Sequence, residues 1–369
     1  MISKMQTMLM AIALLVLSSG MGVAKELSYG IMVTSTNPLV TYGFQPFADA
    51  VRKASNDDIN FTLHTGGSLV GAKTSLSGVR QGLVDAALVA PSYVPSELPK
   101  YNIFADLTPL GEDPYVMMAA ATETVFFDCD ECLDEFKQNR IVPFGVMAAT
   151  PYYLMCKETA STLDELQGRK VMASNPSFSG WLNEIGMVAI SLPGTEIYDA
   201  LERGQVDCIF SVLGWMDSYS LSGLVKVVFD LPMGLSASSQ PLVMNQRSWD
   251  RLSENEKSII YAEASGLIVN TTRSYVESGK RAWKNAEEKG VKWVETPEVF
   301  VSVYEKYRDS AIQKSVDAAV KNGLTDAQAV ADALKRNVAK WTEILAPLEG
   351  DPEKIRQAVT EGIYARLPK

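Results

Sequence analysis

Apolar and polar positions change their spacing at intervals along this chain, and the change predicts alternating strands and helices. Leu27–Val33, Ile59–His64 and Val84–Ala90 read as strands, while Leu39–Ser55 and Ala72–Gln81 read as helices. Gly66-Gly67 turns the chain into the second helix, and Gly82 stops it. The order then returns. Thr162-Leu163-Asp164-Glu165 is a capping box opening a short helix that Gly168 ends, followed by a strand at Lys170–Ala173. Ser177–Ile185 reads as helix, Met187–Ile190 as extended, Thr195–Arg203 as helix and Val206–Phe210 as strand. Such alternation predicts a mainly parallel α/β architecture with right-handed connections.

Two stretches match each other. Val79–Ala86 and Leu201–Cys208 share the pattern apolar-x-x-Gly-x-Val-Asp-small. In each, the glycine is expected to close a helix in left-handed conformation and the valine to open a buried strand. The repeat predicts two related lobes, and a cleft between two α/β lobes is a standard place for a small ligand. The C-terminal third is different. Ser253-Glu254-Asn255-Glu256 is a second capping box, and helical sequence continues from it to Lys289. As one helix it would measure about 55 Å, enough to run across both lobes. Gly290, a strand at Val291–Glu295 and helical segments Pro297–Asn322, Asp326–Leu345 and Pro352–Ala365 follow.

The first residues stand apart. Lys4, the apolar run Met8–Leu17 and the small residues Gly22-Val23-Ala24 form the pattern of a secretory signal peptide cleaved after Ala24. The run is too short for a membrane anchor, so an exported, periplasmic protein that is not membrane-embedded is expected. The 369 residues, 47% hydrophobic and 21% charged, suit about two globular domains. A net charge of −10, without a basic run, argues against nucleic acid as a partner. His64 is the single histidine, which excludes most familiar catalytic and metal arrangements; no metal or cofactor is expected.

Cys129, Cys132, Cys156 and Cys208 form an even set in an oxidising compartment, which predicts structural disulfides with three possible connectivities. The Cys129-x-x-Cys132 spacing also invites zinc or redox readings. Zinc lacks a second ligand pair, and Asp128, Asp130, Glu131 and Asp134 oppose a thiolate.

With these features the sequence resembles the extracytoplasmic solute-binding proteins of TRAP (tripartite ATP-independent periplasmic) transporters, the DctP-type family. Five segments carry the resemblance, in order: Gly66–Leu69; Gly78–Asp85; Leu163–Val171; Glu196–Asp207; and Asn245–Ser253. It implies a two-lobed periplasmic-binding-protein-like fold with a long helix spanning both lobes. The receptor would capture a small organic solute and deliver it to small and large TRAP membrane subunits, driven by an ion gradient. The expected division is 25–149 plus about 239–278 for lobe I, 150–238 plus about 279–346 for lobe II, and 347–369 as a C-terminal helical tail. An exported sensor presenting its solute to a membrane signalling protein is the alternative, and an exported hydrolase is a weaker one.

Where the family places an arginine that grips the solute carboxylate, this chain has Met172, which donates no hydrogen bond. Arg169 falls on the opposite face of that strand and is expected at the surface. Simple C4-dicarboxylates are therefore expected to bind poorly, and neutral or cationic organics, or monocarboxylates held by stacking, to bind better. Candidate ligand-binding residues are Tyr42, Tyr93, Tyr152, Trp181 and Trp215 as aromatic walls, with Met172 and Ser174 at one strand end and Ser211 at another. Lys73 is the candidate anion anchor and Asp217 the candidate partner for a cation. Tyr153, Phe178 and Tyr219 add to the aromatic density of this region.

Overall fold

The alternating stretches fold into two sheets. The structure, a computed structural model, describes residues 24–173, 176–192 and 196–367, with the side chains of 176–178 and 309 outside the description. The chain runs β1 (Lys25–Gly30), α1 (Gln45–Ala54), β2 (Ile59–His64), α2 (Ser75–Gln81), β3 (Ala86–Val89), α3 (Pro114–Phe127), α4 (Asp130–Gln138) and β4 (Ile141–Pro143). It continues through β5 (Tyr152–Cys156), β6 (Lys170–Ala173), α5 (Pro176–Glu184), β7 (Val188–Ile190), α6 (Ile197–Glu202), β8 (Cys208–Val212), β9 (Val227–Phe229) and β10 (Gln240–Asn245). The rest is α7 (Glu254–Glu288), β11 (Lys292–Val294), α8 (Glu298–Lys321), α9 (Ala327–Leu345) and α10 (Pro352–Gly362), with short helical turns between these elements.

The first sheet has the order β2-β1-β3-β10-β4 and the second β11-β9-β5-β8-β6-β7. Within them, β2-β1-β3-β10 and β7-β6-β8-β5 are the same unit: three parallel strands with an antiparallel fourth. The antiparallel strand is in each case the first that the chain lays down after crossing from the other lobe. The repeated sequence pattern ends at corresponding strands, β3 and β8. Gly82 and Gly204 both adopt positive φ, +78° and +69°. The aspartate after each then takes a backbone N–H of the neighbouring parallel strand. Asp85 accepts from Ser28 N on β1 at 2.9 Å, and Asp207 from Lys170 N on β6 at 2.8 Å.

Lobe I has one continuous core. The second sheet is covered on both faces, and alternation sorts its side chains: Leu154, Val171, Ala173 and Phe210 face one side, Met155, Met172 and Ile209 the other. Helix α7 joins the lobes. The Ser253 side chain accepts from Glu256 N while the Glu256 carboxylate accepts from Ser253 N, so the expected capping box forms. Its 35 residues span about 52 Å. Ile260, Ala264, Leu267 and Ile268 pack into lobe I, Ala282 and Ala286 into lobe II. The chain also crosses twice as a paired ribbon: Met147 N donates to Ser239 O, Ala149 N to Ser236 O and Tyr152 N to Gly234 O.

The C-terminal helices lie elsewhere than the sequence division had them. Phe300, Tyr304, Tyr307 and Ala311 belong to lobe II, but Val316, Ala319, Leu324 and the apolar face of α9 pack into lobe I. Residues expected to form a tail fill the same core with Ile355, Val359, Ile363 and Tyr364. The reason lies in α3, where every residue from Val116 to Val125 is buried. A helix apolar on all sides needs cover on all sides, and α9 supplies it.

All four cysteines are paired, Cys129 with Cys132 at the start of α4, and Cys156 with Cys208 directly opposite across β5 and β8. None is free.

Candidate functional site

A cavity of about 220 Å³ lies between the lobes, walled by residues from both. Lobe I contributes Met32, Asn37 and Leu39 after β1, and Leu88, Ala90, Ser92 and Tyr93 at the end of β3. Lobe II contributes Tyr152 at the start of β5, Val212 at the end of β8, and Gly214, Trp215, Ser218 and Tyr219 just beyond. These are strand ends, where an open α/β sheet presents its ligands. The crossing ribbon adds Met147, Ala149, Ser236 and Ser239, and α7 adds Ser274, Tyr275 and Ser278. Gly214 permits this convergence, because a Cβ there would sit 2.8 Å from Ser278 Oγ. Ala148 N, donating to Thr272 Oγ1 at 3.1 Å, ties the ribbon to α7.

Four tyrosines converge on this space. Burial raises the hydroxyl pKa of each, and they raise one another: Tyr275 and Tyr93 act on Tyr152, Tyr93 and Tyr219 on Tyr275, and Tyr93 on Tyr219. They therefore stay protonated at neutral pH. Among the described residues, the hydroxyls of Tyr93, Tyr219 and Tyr275 have no hydrogen-bond partner. Trp215 meets Tyr219 edge-on, with ring centroids 5.1 Å apart. Ser218, Ser274 and Ser278 donate to the carbonyls of Gly214, Thr271 and Tyr275. Among the described residues the lining holds no charged side chain, histidine or cysteine. It can stack a ring and hydrogen-bond polar groups, and among the described residues no group of His, Cys, Asp or Glu is placed to hold a metal ion.

Of the sequence candidates, the structure brings Tyr93, Tyr152 and Trp215 together here, joined by Tyr219. The others lie elsewhere. Tyr42 is 56% exposed, on the turn before α1, and outside the lining. Lys73 is exposed ahead of α2, also outside the lining. Met172 is fully buried with Met155, Ile197, Ile209 and Met216, because strand alternation turns it into the core on one face of the second sheet. Trp181 is 2% exposed, between Phe210 and Tyr304 in the core on the other face. Ser211 is buried in β8 opposite Tyr153. Asp217 is exposed and accepts from Asn285 Nδ2 on α7 at 2.9 Å. Ser174 lies outside the described residues. Arg169 reaches the carbonyls of Glu158 and Thr159 at the surface, as alternation had indicated.

Sequence reasoning missed the contributions of α7 and of the ribbon. The i, i+4 pair Ser274 and Ser278 beside Tyr275, midway along a long helix, was the available signal. The ribbon residues gave none, since nothing local marks a lobe crossing.

The model of the bacterial extracellular solute-binding proteins, family 7 (DctP), matches residues 30–318. A solute-binding protein of Albidiferax ferrireducens is 24% identical over 220 residues, 58% of this chain and 62% of that one, so the match spans less than two thirds of that relative. A TRAP solute-binding protein from Rhodoferax ferrireducens, in complex with copurified benzoate, has TM-score 0.76 at 17% identity over 87% of this chain and 99% of its own. A TRAP periplasmic solute-binding protein from Bordetella bronchiseptica, with bound (R)- and (S)-mandelate, gives 0.73 at 20% identity over 86% of this chain and 99% of its own. With two lobes bridged by one helix, a cavity between them and a family match over most of its length, this chain belongs to the DctP family of bacterial extracellular solute-binding proteins.

Proposed function

We propose that this protein is the extracytoplasmic receptor of a TRAP transporter, capturing a small organic solute between its lobes and handing it to the small and large membrane subunits. The observation that carries the reading is the cavity walled by both lobes, the ribbon and α7. A ligand touching all four favours the closed arrangement over any open one, by as much as it binds the closed form more tightly. Uptake is then driven by the ion gradient, and the solute is released unchanged. The relatives' ring-bearing ligands, benzoate and mandelate, agree in size and shape with an aromatic-walled cavity of this volume.

Export through a signal peptide cleaved after Ala24 is part of the proposal. It is supported by β1 starting at Lys25, whose backbone N donates to Asp58 O at 2.7 Å. The exported protein should therefore have Lys25 as its first residue by mass spectrometry. Small-angle scattering tests the receptor reading: the radius of gyration should fall on ligand saturation, and the recovered ligand should be chemically intact. An unchanged radius at saturation, or a converted ligand, would refute capture-and-release.

A further inference from the structure

We infer that the solute of this cavity is an uncharged ring compound carrying hydroxyl or amide groups; the inference rests on the receptor reading and names its ligand class. A desolvated anion needs a facing cation as well as donors; among the described residues the lining holds no cation, and three of its serines turn acceptors toward the ligand. Ser218, Ser274 and Ser278 give their protons to backbone carbonyls, so their oxygens face a ligand as acceptors. A carboxylate has only lone pairs to bring to such groups.

Among the described residues no basic side chain lines the cavity: Arg169 is held by surface carbonyls, and Arg273, next to Ser274 on α7, is exposed and outside the lining. Residues 174, 175 and 193–195 include no charged side chain in the sequence. Among the described residues the lining gives an ammonium ion no counter-charge either, since Asp217 lies outside it and accepts from Asn285. What the cavity does offer is aromatic faces from Tyr93, Tyr152, Trp215, Tyr219 and Tyr275, acceptor serines, and three tyrosine hydroxyls free to donate. That set matches a flat ring whose substituents both donate and accept without charge.

Matched ring compounds test the assignment by calorimetry: benzamide against benzoate, phenylacetamide against phenylacetate, with benzyltrimethylammonium as the cation. The amide of each pair should bind about tenfold tighter or more, because a desolvated carboxylate is left uncompensated. Tyr275→Phe should weaken the amides several-fold while leaving the melting temperature of the ligand-free protein unchanged. Tighter binding of the carboxylates, or of the ammonium compound, would overturn this inference and leave the receptor reading standing. If none of these compounds binds and native mass spectrometry of the exported protein finds no copurified small molecule, the receptor reading falls with it.

Discussion

Asp85 shows how much of lobe I hangs on one side chain. Its carboxylate accepts from Ser28 N and Oγ at 2.9 and 2.8 Å and from Ser248 Oγ at 2.5 Å, tying β1, β3 and the turn after β10 together. Burial pushes its pKa up, but the hydrogen bonds from Ser248 and Ser28 and the charge of Arg251 outweigh burial and hold it below the ordinary value. Removing the acceptor orphans these donors, so Asp85→Ala should cost about 1–3 kcal/mol in denaturant unfolding. The pH dependence has a definite sign. A folded-state pKa below the unfolded one adds stability above the unfolded value, about 3.9, and loses it as pH falls through the folded value. The stability gap between wild type and Asp85→Asn should thus be constant near neutrality and close in acid. A gap unchanged below pH 3 would rule out the linkage.

Among elements, the repeated helix–glycine–strand unit is the clearest link from sequence to architecture. Local rules sufficed there: a left-handed glycine ends the helix, and valine starts a strand that only a sheet interior accepts. The disulfides needed more than local rules. An even cysteine count in an exported chain indicated bridges, but the pairing of Cys156 with Cys208 follows from β5 lying antiparallel beside β8. Thiol titration of unfolded, unreduced protein should find close to no free thiol. The two bridges should differ in weight. Their sequence separations are 3 and 52 residues. On loop-closure entropy, losing the Cys156–Cys208 bridge costs about 4 kcal/mol and losing Cys129–Cys132 less than about 2. Equal losses in the two double-serine variants would contradict that ranking.

At the scale of the whole molecule, the C-terminal helices complete lobe I. Glu123 on α3, buried, accepts from Lys340 Nζ and Trp341 Nε1 on α9 and from Arg366 beyond α10, each at 2.7 Å. Tyr364 Oη donates to Phe144 O at 2.6 Å beneath α10. Deleting residues 349–369 would expose the face that Ile355, Val359, Ile363 and Tyr364 cover, and leave Glu123 with one cation fewer. Several kcal/mol are at stake, since burying each large apolar side chain is worth about 1.5–3 kcal/mol. The truncated protein should melt at least ten degrees lower or fail to stay soluble. Wild-type melting would show that these residues add nothing to the stability of lobe I.

The sequence by itself determined the elements, the two-lobe class and the spanning helix, because periodicity, caps and left-handed glycines act within a few residues of where they are written. It also determined that Met172 in β6 stands where the resembled family places an arginine, a matter of residue identity alone. Only the tertiary structure decided which residues line the cavity. Met172 and Trp181 sit at strand and helix positions that sequence places beside a cleft, yet alternation and packing turn both into cores. Tyr275 sits inside a helix, marked locally only by the serines Ser274 and Ser278, and reaches the cavity because α7 passes between two lobes. Which side of an element faces the ligand depends on what packs against its other side, and those partners lie far away in the chain.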